Sequence, residues 1–437
     1  MLPSLKRTAY VAAATALCAF FSRTSLGAEQ VRVLPERTDN AALDYLLAAA
    51  ELESPANEAE VAARKFIDEE LFKLPAKVLE TKPAVVALLD REEEMLTKSL
   101  HWGAEKPGCQ FDVDWAQGPN VLLPHLAVIR PMARHACGVA MLQEINGKPE
   151  QAAQIYCDVA QLGAHLCETP EMIGGLVGMQ IQNLAFSRME GFLAAEPRQE
   201  AIRRLATGLS RLPQRAFPLD RCLLAESEVF GDWILKNPDS LHNVPGFEVL
   251  EPGALRLETV LAGARYYQEQ LSRLAKIANG PYYEHGAALK LEMDNLLNNK
   301  IDVRKEEDRI RVILMVLLPP IIHLPAEITR NEARLGMMRL LAAAALCKAE
   351  TNKSPDNLSG LARYFPGGMP RDPFTGSDFI YTLNEGLPRI ECNPPEDIRK
   401  GESSNGKDPF SFDLGRRRKQ DLEALRKSQE KPSVQEK

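Results

Sequence analysis

The amino-acid sequence predicts a mainly α protein: an irregular multi-helix array with one tetratricopeptide-like helical hairpin and a small C-terminal β-hairpin. Three observations predict it. From residue 39 to 350, apolar residues recur at helical spacing between Pro, Gly or Asn breaks. Strand patterns are nearly missing before residue 370. The 437 residues are 45% hydrophobic, 26% charged and 6% aromatic, a globular composition with enough chain for a sizeable core.

Residues 1–28 read as a secretory signal peptide. Lys6 and Arg7 precede an uncharged, mostly apolar run over Ala9–Phe21, and Ser22–Ala28 is short, polar and rich in small residues. A helix over that run spans about 20 Å, short of the ~30 Å hydrocarbon core of a bilayer. Export to the periplasm or cell envelope is the expectation, with no membrane span in the mature chain. The alternative is an uncleaved inner-membrane anchor over residues 9–21. Cys18 leaves with the signal peptide, and the other seven cysteines fall mostly in apolar helical stretches, as buried free thiols do.

The helical body covers residues 29–350. Asp39–Glu53 is Ala/Leu-rich, and Asn57 with Glu60 has the spacing of a capping box opening the second helix. Thr81 and Pro83 start a third, ended by Gly103. A helix over Asn120–Ile145, kinked at Pro131, turns at Asn146-Gly147 into a partner running from Pro149 to Cys167. This pair is the tetratricopeptide-like hairpin, although no 34-residue period repeats. Further helices are expected at 171–194, 198–211, 218–235, 253–278, 283–298, 303–318 and 325–349. Gly174 and Gly178 share a helix face that allows close approach, and Val312–Leu318 before Pro319-Pro320 reads as a buried helix end.

Residues 351–395 change character. Asp372-Pro373-Phe374-Thr375-Gly376 is a turn, and strands over Phe379–Leu383 and Leu387–Glu391 flank Asn384-Glu385-Gly386. Pro388 lacks a ladder donor and points to an edge strand. Residues 396–437 form a charged tail expected to stay disordered, with at most a transient helix around Gln420–Lys427.

The segments at 40–49 (NAALDYLLAA), 109–126 (CQFDVDWAQGPNVLLPHL), 147–166 (GKPEQAAQIYCDVAQLGAHL) and 371–381 (RDPFTGSDFIY) resemble a set of exported helical proteins of planctomycete-type bacteria. That resemblance spans roughly residues 39–391 and implies export, helical architecture and a terminal hairpin, with no reaction attached. The DPFTG hairpin is also similar to the C-terminal region of type II secretion pseudopilins. The prepilin pattern and the acidic calcium loop of that family have no counterpart here, so no metal ligands carry over.

The chemistry is sparse. The net charge of −7 disfavours nucleic acid, because neutralising phosphates needs a basic face. The seven histidines form no HExxH and no i,i+4 pair, and no phosphate-binding loop or nucleophile elbow occurs, so no metal or cofactor is expected. Asp112 and Asp114 form a DxD, read first as a polar loop leading into a helix and second as a cation-binding pair. Glu92 and Glu226 stand out, because each falls inside an apolar helical stripe where a lone carboxylate is costly. Three readings compete: a structural pair with an arginine such as Arg339, a cleft where the two glutamates converge, or a paired-Glu metal site. The last lacks the Glu-x-x-His that four-helix carboxylate centres use. The function expected is that of a non-enzymatic envelope component binding a protein or peptide. The alternatives are a hydrolase or lyase using paired glutamates, and a pseudopilin-like assembly subunit.

Overall fold

A computed structural model of the chain describes residues 39–52, 54–169, 171–243, 256–297, 305, 308, 311, 321, 323–401 and 408–430. The signal-peptide segment lies outside the described residues, as do Val312–Leu318 and the rest of the helix expected at 303–318 apart from residues 305, 308 and 311.

The described chain is mainly α, with one small antiparallel sheet. The helices are α1 Ala42–Ala50, α2 Glu58–Glu69, α3 Pro83–Ala104, α4 Pro124–Ile145, α5 Pro149–Cys167, α6 Met172–Ala194 and α7 Gln199–Arg211. They continue with α8 Leu219–Glu226, α9 Asp232–Lys236, α10 Leu257–Ala278, α11 Tyr282–Leu297 and α12 Leu324–Thr351. Local chemistry sets the starts. Pro83, Pro124 and Pro149 open α3, α4 and α5, where a missing N–H costs nothing. The Asn57 side chain accepts from the Glu60 N–H at 2.9 Å and caps α2. Gly147, at φ 73°, closes the α4–α5 hairpin with a left-handed residue.

Helix α5 is the axis of the body. It packs on α4, α6 and α7, and Ala152–Cys167 is buried except at Gln154 and Gln161. Two glycines set its crossing with α6: a Cβ on Gly178 would lie 2.5 Å from the Gly163 carbonyl and 2.8 Å from Cys167 Sγ. Gly178→Ala is therefore expected to cost about 1–3 kcal/mol by overpacking, measured by urea unfolding. An unchanged midpoint would contradict this close approach. Gly174 serves elsewhere, since a Cβ there would strike the Glu171 carboxylate folded over the start of α6. The seven cysteines of the described chain are free, and Cys109 is the partly exposed one.

Between α8 and α9 the helix widens into a π turn over Ser227–Gly231. That turn inserts an extra residue and rotates the helix face beyond it. Glu226 stays buried as the stripe expects, but past it Gly231 and Ile234 are buried in place of Val229, Phe230 and Trp233.

Strands β1 Ile380–Asn384, β2 Leu387–Glu391 and β3 Ser411–Asp413 form the sheet in that order. Glu385 and Gly386, both at positive φ, make the two-residue hairpin turn. Pro388 is thus in the central strand and not at an edge. Pairing to β3 begins only at Arg389, and alternate residues of an antiparallel strand turn their N–H groups to opposite neighbours. Pro388, next to the hydrogen-bonded pair that closes the turn, would aim its N–H past the end of β3.

The tail also departs from expectation. Residues 396–401 form a short helix, α13, and β3 leads into α14, Leu414–Glu430, packed on α6. The cause is three alternating apolar side chains, Phe410, Phe412 and Leu414, all buried within a polar composition. Arg334 lies over the Phe412 ring at 4.6 Å, and buried Glu190 accepts from the Asp413 N–H at 2.9 Å. Asp372 fixes the DPFTG turn, its two oxygens accepting from the Phe374 and Asn393 N–H groups at 2.9 and 2.7 Å.

Candidate functional site

Glu92 is a structural centre. Helix α2 presents Glu60, Arg64 and Asp68 at i, i+4 and i+8, one face of a helix. Each meets a partner on α3 or α4: Glu60 with Arg91 at 2.7 Å, Arg64 with Glu92 at 3.2 Å, and Asp68 with Arg134 at 3.5 Å. Glu92 also pairs with Nδ1 of the fully buried His135 at 2.6 Å. Both its oxygens are therefore satisfied by α2 and α4.

Glu226 has different neighbours. It ends α8 and accepts from the Met172 N–H at 3.2 Å, at the first turn of α6. Burial raises its pKa to about 7, against a smaller opposing effect of that hydrogen bond. Glu171, beside it, is also raised to about 7, by burial first and with the Glu226 charge contributing. Neither glutamate has a cation within ion-pair distance among the described residues. Glu92 and Glu226 share no partner, so the structure does not bring them together. Arg339 pairs with neither of them, because its guanidinium is engaged at the end of α7.

His165, Cys167 and Asp114 serve the fold. His165 bonds the Tyr45 hydroxyl at 2.7 Å and Gln161 at 2.9 Å, and Cys167 donates to the Gly175 carbonyl. Asp114 caps the short turn that begins at Trp115, and Asp112 is exposed. Among the described residues no three His, Cys, Asp or Glu side chains converge as a metal site.

The site with room for a ligand lies elsewhere. Helices α7 and α12 run side by side, and between them opens a cleft of 750 Å³. Arg203, Thr207 and Ser210 of α7 form one wall, and Arg339, Ala343 and Leu346 of α12 form the floor. Residues 364–373, a Pro- and Gly-rich loop, make the roof, and Gly368 takes φ 100°. Positions 339, 343 and 346 share a helix face by their i, i+4, i+7 spacing.

Arg339 holds the end of α7. Its Nε donates to the Leu209 carbonyl at 3.0 Å, Nη2 to Leu212 at 2.6 Å, and Nη1 to Gln214 Oε1 at 2.6 Å. Those carbonyls belong to the last turn of α7 and its cap, where a cation suits the helix dipole. Burial lowers the Arg339 pKa, since the charged form loses water. At the other end of the cleft Glu332 faces Arg215 at 3.6 Å. Burial raises its pKa to about 7, with Arg215 opposing.

Glu332 escaped the sequence reading, though it sits seven residues before Arg339 on the same α12 face. Glu171 escaped it too, because its approach to Glu226 spans 55 positions with no local signal. A smaller cavity of 30 Å³ adjoins Glu332, Arg215 and Tyr282, and neither cavity is lined by Glu92 or Glu226. Fold and site together define a mainly α protein with a ligand-sized cleft between two helices. Comparisons with family models, curated proteins and solved structures found no match to the chain.

Proposed function

We propose that this chain is an exported, non-enzymatic component of the cell envelope that binds a peptide or an extended protein segment in the α7–α12 cleft. The observation that carries this reading is the cleft. Its 750 Å³ falls within the range of ligand sites, and it mixes apolar floor with a few charged groups. The exposed Gly367 and Gly368 in its roof leave main chain open to a second main chain. Export rests on the signal-like pattern of residues 1–28, with anchoring through residues 9–21 as the alternative. No described helix is long and apolar enough to cross a membrane. The acid–base reading loses its support, because Glu92 and Glu226 have separate partners and line neither cavity.

The test is a fluorescence-polarisation titration of the full chain with a labelled pool of random hexapeptides. Saturable binding is expected, weakened at least about tenfold, or ~1.4 kcal/mol, by Thr207→Trp, which fills the cleft from an exposed helix position. Binding equally tight in Thr207→Trp would place the peptide elsewhere and overturn the proposal.

A further inference from the structure

We infer that the cleft recognises the free C-terminal carboxylate of a peptide, with Arg339 binding the carboxylate and the Ala343–Leu346 floor taking the last apolar side chain. The inference rests on the peptide-binding reading above and names its ligand chemistry.

The first support is a charge balance. Three cations line the cleft: Arg203, Arg339 and Arg371. Arg203 has Glu200 at 2.7 Å and Glu350 at 3.6 Å, and Arg371 has Asp378 at 2.6 Å. Arg339, the most buried of the three, has no carboxylate within 4.0 Å among the described residues. Its partners are two neutral carbonyls and one neutral amide. A half-buried guanidinium with only neutral partners is held at a cost that an incoming anion reduces.

The second support is donor arithmetic. A guanidinium carries five N–H groups in a planar fork, and three are used here. Two remain, enough for a charge-assisted contact to a carboxylate.

The third is direction. Glu332 closes one end of the cleft with a carboxyl group of its own, which repels an anion when ionised. That end therefore suits a carboxylate less than Arg339 does, and a ligand anchored at Arg339 leads its chain the other way along α12. Arg339 to Leu346 spans seven residues, about 10 Å of helix, the reach of about three extended peptide residues. Apolar side chains border that path from below, at Ala343 and Leu346, and from above, at Phe365 and Met369. The exposed carbonyls of the roof's glycine pair favour a peptide over a bare fatty acid, because they can accept from a peptide main chain; the Gly368 N–H already donates to the Phe365 carbonyl at 2.9 Å.

The experiment uses two labelled pools of hexapeptides ending in leucine, identical except that one ends in a free acid and the other in an amide. The full chain is expected to bind the acid pool at least about tenfold tighter than the amide pool. Arg339→Gln should abolish the preference for the acid pool over the amide pool, and Arg339→Lys should retain part of it. Because Arg339 also holds the end of α7, the acid–amide comparison on the unaltered protein decides the matter even if the variant fails to fold. Equal binding of both pools overturns the carboxylate inference and leaves peptide binding standing. Binding of neither pool overturns peptide binding and this inference with it.

Discussion

Replacing Glu92 with leucine is expected to lower the unfolding free energy of the full chain by about 3 kcal/mol, at the low end of the cost of breaking a buried ion pair. The Glu92 side chain is 2% exposed, and its removal takes an acceptor from both Arg64 and His135. His135 Nδ1 loses its acceptor in a fully buried position, and Nε2 of the same ring is already buried without a partner. Arg64 loses less, because at 22% exposure it reaches water, which sets the lower figure. Glu92→Gln keeps an acceptor for His135 and should lose less. Urea unfolding decides it: a Leu variant as stable as the natural chain would remove the structural role assigned to Glu92.

Glu226→Gln is expected to have the opposite sign above neutral pH. The carboxyl pKa moves from 4.5 to about 7 on folding, a shift worth about 3–4 kcal/mol at ~1.4 kcal/mol per unit. Between these values the folded protein keeps a proton that the unfolded chain has released. Stability from this group therefore falls as pH rises from 4.5 to about 7, and stays flat above. Glutamine can still accept from the Met172 N–H but carries no charge. The variant should match the natural chain near pH 4 and exceed it at pH 8, with a shallower slope between. His125 and His165, pushed down to about 4 by burial, act in the opposite sense below their ordinary pKa of 6.5. They are common to both proteins and cancel in the difference. Unfolding curves from pH 4 to pH 8 measure the effect, and identical slopes for the two proteins would contradict it.

The two glutamates look alike in sequence, each a lone acid in an apolar stripe. Their different fates show which information is local. Burial comes from helical spacing, which any heptad-length window contains. The partner does not: His135 lies 43 positions from Glu92, and Met172 lies 54 from Glu226. Helix starts were legible because Pro83, Pro149 and Asn57 act on their own turn. The π turn after Glu226 was not, since it is stabilised by packing on α10 and lacks a Pro or Gly at its start. The tail misled for a compositional reason: Phe410, Phe412 and Leu414 are diluted among charges, yet alternate as a strand needs. The cleft was partly legible. Arg339 was singled out by its place on the α12 stripe, but its neighbours on α7 lie about 130 positions away, beyond any pattern in a single segment.

Hydrogen exchange of the full chain, with and without a saturating pool of free-acid hexapeptides, tests most directly whether the protein works through this cleft. The account predicts slowed exchange at residues 203–210, 339–346 and 364–373, with the start of α6 around Met172 unchanged. Protection concentrated around Met172 and Glu226, with the cleft segments unaltered, would contradict it and return the buried carboxyl pair to the centre of the function.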